Sequence, residues 1–424
     1  MINNVYNMSK KILGILPCLI LASTATAAAQ PLVMSYWENW ATYQQYPMPG
    51  NAQGSKNAIL SEQITGLNAL AYAFLFIGAD GSLQFSDVWS DLNPRSEQDK
   101  HFCTLSPASC NGFPQNAGLG NFGAFTKTAV QHHFVSVGGG GQDKSFEKAF
   151  DHPEKFVSSL KALVEVYHIN ALDLDYEPVN GVPPASIQRF IELTTQIRAA
   201  LPSITITYTI NSISRNIDKF GAENWKKLGE NINYISIMGY DMHGSFDVSY
   251  PYTALHSALT SQRKDSSVEN AVKALNKAGI ANDKIILGMP LYGRAVGGVM
   301  QDGIGQIFTE AAKGDGEKNC STSLSAKNRC EGFIQYKSLV DQLYTPIPVI
   351  VDNQLAGVYS YDRESKVFVS YDNPESAAAK AQYVVDNQLG GIMMWAIRFD
   401  KPINDSHSIL AAIDKVIGLH QLNS

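Results

Sequence analysis

The chain has 424 residues, 45% of them hydrophobic and 17% charged, with a formal net charge of -6. Composition this near the globular average excludes a disordered polymer, and the length leaves room for one large barrel or two ordinary domains. The acidic balance comes without any run of Lys or Arg, which excludes the electrostatic footprint of a nucleic-acid or anionic-membrane binder and suits a neutral or weakly charged ligand.

The first segment reads as a leader. Lys10 and Lys11 precede an apolar run from Ile12 to Ala22, and small residues follow up to Ala27-Ala28-Ala29. This is the layout of a secretory signal peptide, with cleavage expected after Ala29. The apolar run is shorter than the roughly 20 residues a membrane anchor needs. Removal of residues 1–29 is expected to leave a secreted protein, extracellular or periplasmic, with no membrane attachment. Cys103, Cys110, Cys320 and Cys330 remain in the mature chain, and in an oxidising compartment they suggest two disulfides. Local pairing would close two short loops and brace surface excursions, while the sequence by itself leaves the connectivity open. A zinc site is disfavoured, because neither spacing makes a C-x-x-C knuckle.

Short apolar, β-rich runs then recur in order: Leu32 to Tyr36, Ala69 to Phe74, His133 to Val137, Ala171 to Glu177, Ile204 to Thr209, Tyr234 to Tyr240, Ile285 to Pro290 and Gly391 to Ile397. Amphipathic patterns lie between several of them, such as Phe156, Leu160, Leu163 and Tyr167, or Ile187, Phe190, Ile191, Thr194 and Ile197. Another runs from Val268 to Ala278 and is expected to stop at Gly279. Strands alternating with helices call for parallel pairing, and eight such units suit an α/β fold of the (β/α)8 TIM-barrel type. Two intervals are too long for simple connections. One holds the first cysteine pair. The other carries its own strand-like pieces, Gly357 to Tyr361 and Val367 to Tyr371, so a small α+β insertion domain over 295–375 is expected to interrupt a barrel spanning 30–424, between strands 7 and 8.

One strand departs from the apolar pattern. "ALDLDYE", Ala171 to Glu177, places Asp173, Asp175 and Glu177 at alternate positions, so in an extended strand all three face the same way. In a barrel that face is the interior, and the series ends at the carboxyl rim where barrel active sites lie. Closely spaced buried carboxyls cannot all ionise, so Glu177, nearest the rim, is the candidate acid held protonated near neutral pH. A solvated edge strand or a divalent-metal site are the alternatives; the first is disfavoured by the covered faces of a parallel sheet, and chelator sensitivity separates the second.

These residues resemble a known family. "INALDLDYE" is similar to the D-x-x-D-x-D-x-E signature of glycoside hydrolase family 18, the chitinase-like enzymes. "SVGG" (Ser136 to Gly139), "MGYD" (Met238 to Asp241), "LGMPLYGR" (Leu287 to Arg294) and "GGIMMWAIRFD" (Gly390 to Asp400) follow in the family's order, and "YSYDRESKVFVSYDNPES" (Tyr359 to Ser376) resembles the end of the chitinase insertion domain. Asn170 stands where the family usually has the first Asp, and Ala171 where it often has Gly.

The resemblance implies a chitinase acting by a substrate-assisted, retaining route in which one protein acid is essential. Glu177 would be the acid, with Asp175 holding the substrate's acetamide, Asp173 behind it sharing a proton with it, and Tyr240 donating to the acetamide oxygen. Asp241, Met238 and Arg294 would line the pocket, Trp395 would form its floor, Tyr36 and Phe74 would complete the wall, and Ser136 would hydrogen-bond an aspartate. Trp37, Trp40, Trp89 and Trp225 are either outer sugar-stacking rings or buried ones. The implied partner is chitin or another N-acetylglucosamine-containing oligosaccharide, with no cofactor, no metal and no nucleic acid, and a monomeric enzyme. An endo-β-N-acetylglucosaminidase on N-glycans and a silent chitin-binding lectin are the alternatives.

Overall fold

The structure, a computed structural model, describes residues 30–40, 64–92, 121–242, 248–257, 267–342 and 344–419. The expected leader and the pair Cys103 and Cys110 lie outside these residues. From the first strand the chain runs through Leu32–Glu38 (β1), Ala69–Ile77 (β2), Leu83–Phe85 (β3), His132–Gly138 (β4), Ala171–Asp175 (β5), Thr205–Asn211 (β6), Tyr234–Met238 (β7) and Ile285–Pro290 (β8). A second set follows: Tyr292–Gly297 (β9), Glu310–Ala311 (β10), Phe333–Gln335 (β11), Ile347–Val351 (β12), Gln354–Asp362 (β13) and Val367–Tyr371 (β14). Gly391–Trp395 (β15) returns to the first sheet.

Strands β1, β2, β4, β5, β6, β7, β8 and β15 pair in parallel, each with the next, and β15 pairs back to β1. The barrel is closed. All of the eight sequence-derived runs take their place in it, and both faces are covered: every residue of β1 is buried, as parallel strands between a core and a helical shell require. The shell reads its helices by the expected period, with Phe156, Leu160 and Leu163 buried on Pro153–Tyr167 and Ile187, Phe190, Ile191, Thr194 and Ile197 on Pro184–Ala200. Helix Val268–Lys277 starts where the Ser267 side chain accepts the Asn270 N–H, and Gly279 follows its end with a left-handed φ of 92°.

β9 to β14 form an antiparallel sheet of six strands between the last two barrel strands, so the inserted unit is present. Its bounds differ slightly from 295–375. β9 begins two residues after β8 ends, at Tyr292, and the sheet finishes at Tyr371, because the exit from β8 turns straight into the new sheet. Of the pairings the sequence leaves open, Cys320–Cys330 is formed, within this unit.

Two close approaches shape the barrel. A Cβ on Gly138 would stand 2.4 Å from the Asp175 carbonyl oxygen, and one on Gly288 would stand 2.3 Å from that of Ile237, so only glycine lets β4 meet β5 and β8 meet β7 there. Asn170, the departure from the family signature, sits exposed at the start of β5. Its Oδ1 accepts the His133 N–H at 2.8 Å and its Nδ2 donates to the Gln131 carbonyl at 2.8 Å. It laces β5 to β4 at the opposite end from Glu177. An aspartate could make only the first of these bonds.

The seam between the first and last barrel strands carries a buried ion pair. Arg398 donates from Nε and a terminal nitrogen to the two oxygens of Glu38, each at 3.1 Å, and Lys337 caps the Arg398 carbonyl at 2.8 Å. Burial pushes the Glu38 carboxyl up and the guanidinium opposes it. Arg398→Met leaves that carboxyl without its partner, and urea unfolding is expected to report a loss of about 3–5 kcal/mol.

Candidate active site

Paired residues of neighbouring strands face the same side, so Ser136, Asp173 and Thr207 share one inner layer of the barrel. Asp173, 0% exposed at its centre, accepts four hydroxyls. Tyr36 and Ser136 donate to Oδ2 at 2.8 and 2.6 Å, and Thr207 and Thr209 donate to Oδ1 at 2.6 and 2.7 Å. Four donors use all the lone-pair directions of a carboxylate.

Asp175, one step nearer the rim and 4% exposed, keeps one oxygen, Oδ1, with no partner among the described residues. Its hydrogen bond goes to Glu177. Both carboxyls of this pair are raised, first by burial and then, for Asp175, by the charges of Glu177 and Asp173. The Glu177 carboxyl is pushed up to about 7, with burial the largest cause, the Asp175 hydrogen bond opposing it and Asp173 and Asp241 adding to it. Two such neighbours titrate as a unit, and near neutral pH one proton is held between them. The sequence reading had Asp173 share a proton with Asp175. In the structure Asp173 is filled by hydroxyls and the carboxyl that bonds Asp175 is Glu177, two residues on, just past the end of β5 at Asp175.

Above this row lies an aromatic floor. Trp395, ending β15 and partly exposed, stacks on Phe74 with centroids 5.6 Å apart and planes at 17°. Tyr36 packs beneath it at 5.0 Å, and Trp40 joins both rings at 6.0 and 6.1 Å. Tyr36 is thus no wall residue. It is 1% exposed, a support for Trp395 on one side and a donor to Asp173 on the other.

Across the rim, Tyr240 follows the end of β7. Among the described residues its hydroxyl meets the weak acceptor Met393 Sδ, at 4.0 Å, and burial pushes its pKa well above the usual tyrosine value. Asp241 takes a left-handed φ of 52° and is held by Tyr292 at 2.8 Å and by Arg294 at 2.9 and 3.1 Å, a two-pronged grip. Met238, ending β7, is partly buried. Beside Asp241 a cavity of about 280 Å³ opens between residues 248–252 and the antiparallel sheet, lined by Asp241, Arg294, Tyr250, Glu331, Phe308 and Ser370; Glu177 is outside its lining.

The barrel therefore gathers Glu177, Asp175, Asp173, Ser136, Tyr36, Phe74, Tyr240 and Trp395, with Asp241 and Arg294 forming a second group on the side of the insertion. Of the four tryptophans left open, Trp40 belongs to the floor. Trp37 is buried at 3% exposure, and Trp225 is buried at 2% with Nε1 bonded to the Ile217 carbonyl. The side chain of Trp89 lies outside the description. Thr207, Thr209 and Tyr292 were missed. The threonines alternate with apolar residues in "TITYTI" just as the acids do in "ALDLD", and that shared period was the available signal. A metal is not what Asp173 is built for, since hydroxyl hydrogens face all its lone pairs. Among the described residues the metal-type cluster is Glu317 with Cys320 and Cys330, but the cysteines are oxidised to the disulfide and Glu317 is taken up by the backbone N–H groups of Gly314, Glu331 and Gly332.

A closed parallel barrel with a raised carboxyl just past the end of its fourth barrel strand and a partly exposed aromatic stack at the same rim fits a glycoside hydrolase. Residues 32–400 match the family model described as glycosyl hydrolases family 18, and the chain belongs to that family. Similar relatives include Chitinase 1 of Aphanocladium album, 24% identical over 88% of this chain and 82% of the relative, and Probable chitinase 2 of Drosophila melanogaster, 25% identical over 90% and 77%. Among solved structures, a chitinase from Bacillus thuringiensis superposes with a TM-score of 0.71 at 20% identity, covering 92% of this chain and 70% of the other. The class V chitinase of Nicotiana tobaccum, solved as its E115Q mutant in complex with NAG4, has a TM-score of 0.66 at 18% identity, covering 92% and 99%.

The raised Glu177 carboxyl has a consequence for stability. The native state holds a proton there up to about pH 7 that the unfolded chain, with an ordinary glutamic acid of 4.5, has already released. The contribution of Glu177 to stability therefore falls as pH rises from about 4.5 to 7. Thermal melts are expected to show Glu177→Gln and wild type close together below pH 4.5, and the variant progressively more stable towards pH 8.

Proposed function

We propose that this enzyme is a chitinase, cleaving β-1,4 links between N-acetylglucosamine units by a retaining, substrate-assisted mechanism. The observation that carries the reading is the pair at the rim: Glu177 with its carboxyl pushed up to about 7, next to a buried Asp175 whose Oδ1 has no partner among the described residues. The chitinase names of the relatives support the substrate class.

The chemistry follows from these groups. Glu177 gives its proton to the glycosidic oxygen as the bond from that oxygen to the anomeric carbon breaks. The carbonyl oxygen of the sugar's own 2-acetamido group attacks the same carbon from the other face, closing an oxazolinium ring. Asp175 Oδ1 accepts the acetamide N–H and offsets the positive charge that develops on it. Tyr240, whose hydroxyl has only a sulfur for company among the described residues, donates to the acetamide oxygen and holds it in line for attack. Asp173, locked by its four hydroxyls, adds fixed negative charge below. Water, deprotonated by Glu177, then opens the ring from the vacated face, so configuration is retained and the acid is restored. Trp395 carries the apolar face of the reacting sugar. The antiparallel sheet raises one side of the groove through Asp241 and Arg294, which suits a polymer. The enzyme is exported: the leader pattern of residues 1–29 and the Cys320–Cys330 bridge support an oxidising destination, and it works there as a monomer.

Glu177→Gln is expected to lower turnover of a soluble chitin oligosaccharide by about 10²- to 10⁴-fold, with oligosaccharide binding kept in a calorimetric titration. A thiazoline derived from N-acetylglucosamine should inhibit, EDTA should not, and NMR of the first product should show the β anomer. Inversion, or release of N-glycans in preference to cleavage of chitin oligomers, overturns the reading.

A further inference from the structure

Behind the rim of β7 lies an ion pair that touches none of the groups used above. We propose that Lys380, Asp372 and Thr253 form a positioning network that sets Tyr240 through the backbone of Gly239; the inference rests on the role just given to Tyr240. Asp372 follows the last strand of the inserted sheet and Lys380 lies on the next helix, Pro374–Asp386. Their side chains are 0% and 1% exposed. The Lys380 ammonium donates to Asp372 Oδ2 at 2.6 Å, to Thr253 Oγ1 at 2.6 Å and to the Thr253 carbonyl at 2.8 Å. All three of its hydrogens are spent.

Thr253 passes the constraint on. Its hydroxyl accepts from the ammonium, so its single hydrogen has to point elsewhere, and the acceptors in reach are Asp372 Oδ2 and the Gly239 carbonyl, each at 2.9 Å. Asp372 Oδ2, which also holds the ammonium, and the Gly239 carbonyl share that hydrogen, so the hydroxyl bridges the ion pair to Gly239. Gly239 is clamped from the other side as well. Its N–H donates to the Gly288 carbonyl at 3.1 Å, and a Cβ there would stand 2.2 Å from that same oxygen. Two residues beyond Tyr240, the Met242 N–H bonds the Tyr252 carbonyl at 3.0 Å. Tyr240 thus hangs between two backbone clamps. Among the described residues its hydroxyl meets the Met393 sulfur at 4.0 Å and its ring packs edge-on against Tyr292 at 6.1 Å, so its aim depends as well on the chain on either side, and the Thr253 hydroxyl is the side-chain contribution to that backbone hold. The network also ties the end of the inserted sheet to the rim of the barrel.

A merely structural pair would stabilise the fold without acting through Tyr240, and a double-mutant cycle separates the two. Thr253→Val keeps the volume, the Lys380–Asp372 contact and the carbonyl contact while removing the hydroxyl. Turnover of a chitin oligosaccharide is expected to fall about tenfold at nearly constant KM, as small misplacements of a catalytic group do. Thr253→Ser should recover it. In a Tyr240→Phe background the same Thr253→Val change should cost less than about twofold, because the residue it acts through is already disarmed. Full turnover in Thr253→Val, or an equal loss in both backgrounds, overturns the network. Full turnover in Tyr240→Phe by itself sinks the role of Tyr240 and the network with it, so the two failures are told apart. Should Thr253→Val not fold, Lys380→Arg goes through the same cycle: its wider head keeps the charge but cannot keep both 2.6 Å contacts, and the same outcomes decide.

Discussion

Everything at the site depends on one carboxylate that the barrel can hold in its middle. Burying Asp173 costs several kcal/mol, and a hydrogen bond to a charged group returns about 1.5–3 kcal/mol, so four hydroxyls from β1, β4 and β6 are enough to offset it. Each of those hydroxyls comes from a different position on an inward face, and each is spent on the same acid. Asp173 therefore stays where it is, a fixed negative charge under Asp175 and Glu177. Burial first raises both outer carboxyls; the charge of Glu177 then raises Asp175, and the Asp173 charge adds to both.

The remaining architecture follows from serving that pair. Small residues line the neighbouring positions, Ala73 beside Ser136 and Gly138 beside Asp175, and the glycine lets β4 close up against the acid strand. Tyr36 works twice, as a donor below and as a support for Trp395 above, so the electrostatics of the acid row and the height of the aromatic floor are set by one side chain. The inserted sheet contributes from outside. Arg294 on β9 fixes Asp241, and Asp372 at the end of β14 reaches Gly239 through Lys380 and Thr253. Two ends of the same insertion thus brace the short segment that carries Tyr240 and Asp241.

The fold was legible because its signal is local. Eight apolar runs with helical patterns between them announce a parallel sheet wherever they fall, and the carboxylates of "ALDLDYE" show their common face by a period of two that needs no partner strand. The limits of the strands were less legible: the pattern carries on through Glu177 and Tyr240, but pairing stops at Asp175 and Met238, since hydrogen bonds to a neighbour and not side-chain character end a strand. The carboxyls that bond each other were misjudged for the same reason. Alternation says that Asp173, Asp175 and Glu177 share a side. It does not say that hydroxyls from three other strands would fill Asp173 first.

By its order alone, then, this chain determined a (β/α)8 barrel, an insertion after the seventh barrel strand, an inward row of acids and the rings that face it, because these depend on periodicity along the backbone. Only the closed tertiary structure decided which partner each acid keeps. Register between strands far apart in the chain puts Thr207 and Thr209 on Asp173, leaves Asp175 with an open oxygen, and brings Lys380 within reach of Thr253. Such meetings are distances in space, and no spacing along the sequence encodes them.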